Sequence, residues 1–161
     1  MIRRNNEELV ATWGNLVQRV FTQINNNFSK INEIDEANDI DKKLLQEMSE
    51  SFEIVGQLIE KVELKTSLQE SMRYVSKVNG YLNETEPWKV IKEDEKRAGR
   101  ILYTALQAID SCANLLYPFM PTTSDLVRSA IPRETNNSWG LNKIKTGVEL
   151  KEIGLLFNKF D

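Results

Sequence analysis

Asn15 and Arg19 stand four residues apart in the stretch WGNLVQRV, and Pro87-Trp88 follows NGYLNETE where an apolar period breaks off. Four residues along a helix is about 40° in projection, so Asn15 and Arg19 present an amide and a guanidinium side by side. The plain reading of such a pair is a solvated helix face with favourable spacing. Trp88, coming after a turn, has its own plain reading as a plug for one end of a core. Asn79 raises a different question, because it falls inside the apolar arc of Leu68, Met72, Val75 and Leu82. An amide buried there without a partner costs roughly 1 to 3 kcal/mol, so it must bond a neighbouring loop or helix end.

Catalysis is not written into these residues. The chain of 161 residues has one cysteine, Cys112, and no histidine, which excludes an internal disulfide, a Cys/His zinc site and an imidazole base. Its seven glycines are scattered and build no phosphate-cradling loop. With 21 basic against 24 acidic residues, the net charge of -3 argues against nonspecific coating of nucleic acid, so any RNA binding must be local. MIRRNNEELV lacks the apolar run of a signal peptide and no segment approaches a membrane span; a cytoplasmic location is the expectation, with no membrane or DNA partner.

The elements that must position these side chains are helices. Leu9, Val10, Trp13, Leu16, Val17, Val20, Phe21 and Ile24 share one side of a wheel, predicting a first helix from about Asn6 to Asn27. SKINEIDEANDID then reads as a solvated acidic loop, before a second helix carrying Leu44, Leu45, Met48, Phe52, Val55, Leu58 and Ile59. A third helix runs from about Lys65 to Asn83, and Pro87 is expected to end it. The fourth, from about Glu93 to Phe119, carries Ile101, Leu102, Ala105, Leu106, Ile109, Cys112, Leu115 and Leu116, a pattern for the centre of the core. A short fifth helix follows Pro121 and ends near Ile131; the tail from Pro132 has no sustained period. An all-α antiparallel bundle of about five helices with an irregular C-terminal tail, forming one domain over residues 1–161, is the economical architecture.

WGNLVQRV at 13–20, VNGYLNETEPWK at 78–89, NLLYPFMPTTS at 114–124 and GLLFNKFD at 154–161, in that order, resemble the anticodon-binding helical bundle of methionyl-tRNA synthetase, a class I aminoacyl-tRNA synthetase. The resemblance covers nearly the whole chain. It implies recognition of the CAU anticodon of methionine tRNA, with Asn15, Arg19 and Trp88 meeting the anticodon and Pro87 setting the turn. Proline would end the helix and push the chain outward, displaying Trp88 as a stacking platform for an unstacked base beside the polar pair. Asn79 and Asn83 would support the site, and Asn83 stands where many relatives carry Asp.

The family's HIGH-type and KMSKS-type signatures are missing, so this chain alone is expected not to aminoacylate and to need no cofactor. ATP and methionine would bind a catalytic domain elsewhere in a parent ligase, a partner in cis. The chain reads as an excised domain opening inside a helix at Met1, although a stand-alone relative fits the same sequence. Two other readings compete: a helical protein-interaction module anchored by Trp88, and the equivalent bundle of another class I synthetase. Finally, Arg3, Arg4, Arg19, Lys89, Lys92, Lys96, Arg97 and Arg100 are expected to form a local basic surface around Trp88, with the acidic segment 33–41 facing away.

Overall fold

The computed structural model describes residues 2–28, 36–147 and 150, with side chains from residue 8 onward. Helix α1 spans Ile2–Asn27, α2 Asp39–Glu60, α3 Leu64–Thr85, α4 Pro87–Val90, α5 Glu95–Leu116 and α6 Pro121–Ala130. Five of these are long and α4 is a single turn. Among the described residues the only extended pairing is one bridge between Arg133 and Ile144. No helix there is long and apolar enough to cross a membrane.

The apolar periods settle what packs where. α5 is buried on nearly every side from Ala98 to Leu116, as a helix apolar all round its axis must be, and it touches each of the other five helices. Trp13, Leu16, Val17, Val20, Phe21 and Ile24 of α1 lie in the core, with Leu9 packed at its edge. Leu44, Met48, Phe52 and Val55 of α2 and Met72, Val75 and Leu82 of α3 complete it.

The acidic loop expectation fails at its last residue. Asp41 is fully buried, not solvated. Its carboxylate accepts two bonds from Arg97, Nη1 to Oδ2 at 2.6 Å and Nη2 to Oδ1 at 3.0 Å, and a third from the Tyr81 hydroxyl. It also closes the capping box of α2: the Asp41 amide donates to Asn38 Oδ1 at 3.1 Å, and the Asn38 amide donates to Asp41 Oδ2 at 3.0 Å. One side chain therefore ties the starts of α2 and α5 to α3. Residues 33–35 lie outside the described residues.

α3 is bounded at both ends by non-glycine residues in the left-handed region. At its start, the Val62 amide donates to the Ile59 carbonyl and the Glu63 amide to the Leu58 carbonyl, each at 2.9 Å, the reversal that ends α2 with Val62 at φ 59°. Glycine is usual at such a position; a β-branched residue there costs about 1 to 2 kcal/mol. At its end, Glu86 takes φ 47° and its amide caps Leu82. The turn agrees with the sequence reading that α3 ends before Pro87, running two residues further than expected, through Thr85, and adds that Pro87 opens α4 at the first-turn position where no N–H is needed.

The aperiodic tail is held by side chains in place of a helix period. Trp139 donates from Nε1 to the Phe52 carbonyl at 3.0 Å and meets the Phe52 ring edge-on at 5.2 Å. A Cβ on Gly56 would sit 3.4 Å from that same nitrogen, so the glycine leaves room for the indole. From α5, Gln107 donates to the Asn142 carbonyl, while Asn114 donates to the Asn137 and Gly140 carbonyls. Tyr103 donates to the Ile144 carbonyl at 2.9 Å. The GLLFNKFD ending, at 154–161, lies outside the described residues.

Candidate nucleic-acid interface

The wheel of α1 predicts that Arg19 points away from the core, and α3 determines what it meets. Arg19 Nη2 donates to Asn83 Oδ1 at 3.1 Å, and the guanidinium carbon lies 4.8 Å from the centre of the Trp88 ring. Three elements, α1, α3 and α4, thus converge on one cation. A guanidinium stacked over indole gains about 0.5 to 2 kcal/mol, depending on how dry the contact is.

The Glu86 turn brings Trp88 there. After α3 ends, the left-handed residue reverses the chain and Pro87, buried, starts α4. Trp88 is consequently half-buried and packs against the edge of the core. The expectation of an outward-displayed ring needs that correction: part of the indole is a packing surface and Arg19 lies over its face. The plug and the platform are two sides of one side chain. Glu86 also pairs with Lys89 at 2.7 Å, a solvent-exposed contact of small worth.

Asn15 is exposed one turn before Arg19 on the same stripe of α1. Asn79 is half-buried one turn before Asn83 on α3. Two amide-bearing stripes therefore flank the Arg19–Trp88 stack. The sequence named all six residues but assigned Asn83 only to support; its side chain turns out to hold Arg19 directly. That pairing links residues 64 apart, beyond any local signal.

The eight cations are less uniform than expected. Arg97 turns inward to Asp41, Lys89 pairs with Glu86 at the surface, and Arg100 lies over the Tyr103 ring at 5.3 Å. Lys92 and Lys96 are exposed, and the side chains of Arg3 and Arg4 lie outside the described ones. The site is built on one stacked guanidinium and amides, and Arg97 belongs to the fold. Arg97 and Asp41 escaped the sequence reading because a charge pair between distant helices has no periodic signature.

Among the described residues no group of acidic or cysteine side chains could hold a metal. Cys112 is buried, and burial pushes its thiol far above the ordinary range, so it has no nucleophilic use.

A stacked guanidinium, an indole and flanking amides form a constellation for planar polar ligands, and known proteins resolve the class. The family model described as the anticodon binding domain of methionyl tRNA ligase matches residues 31–161. The chain belongs to that family. Among similar curated proteins, a "Methionine--tRNA ligase" of Bifidobacterium adolescentis is 48% identical over 132 residues, 81% of this chain and 21% of the relative. Another from Bifidobacterium longum subsp. infantis is 45% identical over 154 residues, 94% of this chain and 24% of the relative. The chain thus spans about a quarter or less of the curated relatives it matches. The fold is that of the apo methionyl-tRNA synthetase of Mycobacterium tuberculosis, with a TM-score of 0.81 at 22% identity over 92% of this chain and 32% of that one. The family match begins after α1, whereas the 154-residue alignment leaves too few residues outside it to omit that helix. In this anticodon-binding domain, then, α1 is an integral element that contributes Arg19 to the stack.

Proposed function

We propose that this chain, as a single domain of a longer methionine-tRNA ligase, reads the CAU anticodon of methionine tRNA through Asn15, Arg19 and Trp88. The observation that carries the reading is the Arg19 guanidinium stacked on Trp88 and hydrogen-bonded to Asn83. A guanidinium plane over an indole has the stacking geometry that an unpaired base takes on an aromatic side chain. Arg19 is therefore poised to exchange places with a base or to extend the stack onto it. Its remaining N–H groups, with the Asn15 amide, supply donors for the base edge. Pro87 and the Glu86 turn fix the ring, and Asn79 and Asn83 line the approach. Aminoacylation, with ATP and methionine, belongs to a catalytic domain in the parent, which is the partner in cis.

The test is a titration of the 161-residue chain with a stem-loop RNA bearing CAU, the same stem-loop with one anticodon base changed, and an unrelated stem-loop. Preference for CAU that falls with Trp88→Ala, Arg19→Ala or Asn15→Ala supports the proposal. Equal binding of all three RNAs by the wild type refutes it and favours the protein-interaction reading. In the parent, the same substitutions should reduce tRNA charging and leave methionyl-adenylate formation nearly unchanged.

A further inference from the structure

Trp88 reaches Arg19 from a one-turn helix that packs chiefly on α5, not on the two helices whose side chains form the stack with it. α4 hangs between two helix ends. On one side the Glu86 amide donates to the Leu82 carbonyl of α3 at 2.9 Å, and the Thr85 hydroxyl donates to the Tyr81 carbonyl at 2.8 Å. On the other the Asp94 amide donates to the Val90 carbonyl at 2.7 Å, and the Asp94 carboxylate caps the Arg97 amide of α5 at 3.1 Å. The place of the indole relative to Asn83 and Arg19 therefore depends on how the start of α5 sits against the end of α3.

Asp41 of α2 is bonded to both of those ends. The Tyr81 hydroxyl donates to it from the end of α3 and the Arg97 guanidinium from the first turn of α5, two residues that bracket the Trp88 turn in sequence. The carboxylate is fully buried and held in orientation by the α2 capping box, and the Arg97 side chain is only 19% exposed. Taking such a pair out of water offsets much of its attraction, so packed apolar side chains would hold the helices together about as well. An apolar contact lacks direction, whereas a two-pronged guanidinium–carboxylate bond fixes angle and spacing together. We infer that Asp41 is a positioning residue of the anticodon interface: through Tyr81 and Arg97 it sets the spacing of α3 and α5 that brings the Trp88 ring to Arg19. This role rests on the anticodon reading above, and Asp41, being buried, acts without touching RNA.

Affinity of the 161-residue chain for the CAU stem-loop, measured at a temperature where circular dichroism shows the variants folded, tests it. Asp41→Asn should lower affinity about fivefold or more, and Tyr81→Phe, which deletes only the bond from α3, about threefold or more. Val55→Ala truncates the core side of the same helix about 21 Å further along; it should leave affinity within twofold although it too lowers the unfolding midpoint. In the Trp88→Ala background Asp41→Asn should cost less than twofold, because the ring that it places is gone. Unchanged affinity in folded Asp41→Asn, with Trp88→Ala still weakening binding, overturns the positioning role and leaves the anticodon reading standing. A loss that persists in full without Trp88, or that Val55→Ala matches, also overturns the role and makes Asp41 a residue of the fold alone. Should Trp88→Ala cost nothing in the wild type, the anticodon reading fails and the positioning role falls with it. If Asp41→Asn does not fold, Tyr81→Phe decides the same comparisons.

Discussion

Replacing Trp88 by alanine removes two functions of one ring, and the structure separates their sizes. Stacking of a base on an aromatic side chain is worth about 1 to 3 kcal/mol, so affinity for a CAU stem-loop should fall about five- to a hundred-and-fifty-fold. Arg19 loses its stacking partner but keeps its 3.1 Å bond to Asn83, so its donors stay near the site and binding is weakened without being abolished. Because the indole is half-buried against the core edge, stability should also drop, by about 1 to 2 kcal/mol, a partial share of what a fully buried aromatic loses on truncation. For a domain of this size that lowers the unfolding midpoint by about 2 to 8 °C and leaves the protein folded at 25 °C. Fluorescence anisotropy of labelled stem-loops and thermal melts followed by circular dichroism read the two effects on the same sample. Unchanged affinity in a folded variant would refute the platform. Loss of the folded state at 25 °C would show that Trp88 acts as a core plug.

Asp41→Asn removes the buried carboxylate that Arg97 and Tyr81 bond and should cost about 3 kcal/mol in urea unfolding; a loss under 1 kcal/mol would mean the pair is dispensable. Burial raises the Asp41 pKa, but the bonds from Arg97, Tyr81 and the Asn38 backbone outweigh it, and the carboxyl titrates below its ordinary value. Its stabilisation is therefore complete above the unfolded pKa of about 3.9 and is lost as pH falls through the folded one. Asp110 is the opposite case: burial dominates and raises its pKa despite the Asn142 bond and Arg133, so acidification relieves a cost. Stability measured from pH 7 down to pH 3 should fall less steeply in Asp41→Asn than in the wild type, and more steeply in Asp110→Asn. A Cβ on Gly80 meets nothing within 4 Å, so Gly80→Ala should stabilise by about 0.5 to 1 kcal/mol in the same assay; a destabilised variant would show that the helix needs the glycine. Native Cys112 should resist a thiol reagent until the chain unfolds, and rapid labelling under native conditions would contradict its burial.

Periodicity alone determined the helices, the centrality of α5 and most of the core, because helical burial repeats every three or four residues and leaves a local record. It also singled out Arg19 and Asn15 as lying outside the α1 core stripe, and the family resemblance added Trp88 and Asn83. Only the tertiary structure decided that Arg19, Asn83 and Trp88 meet, because a stack between α1, α3 and α4 depends on how helices are placed, which no local spacing encodes. The same holds for the buried Asp41–Arg97 pair, hidden in a run that composition makes look solvated. It holds as well for the tail, whose amides and Trp139 are fixed by hydrogen bonds to α2 and α5. Pro87 was legible as the residue before which α3 ends, but only the structure showed that it also opens α4, because proline's missing N–H suits a first turn as well as it forbids an interior and the left-handed Glu86 joins the two helices.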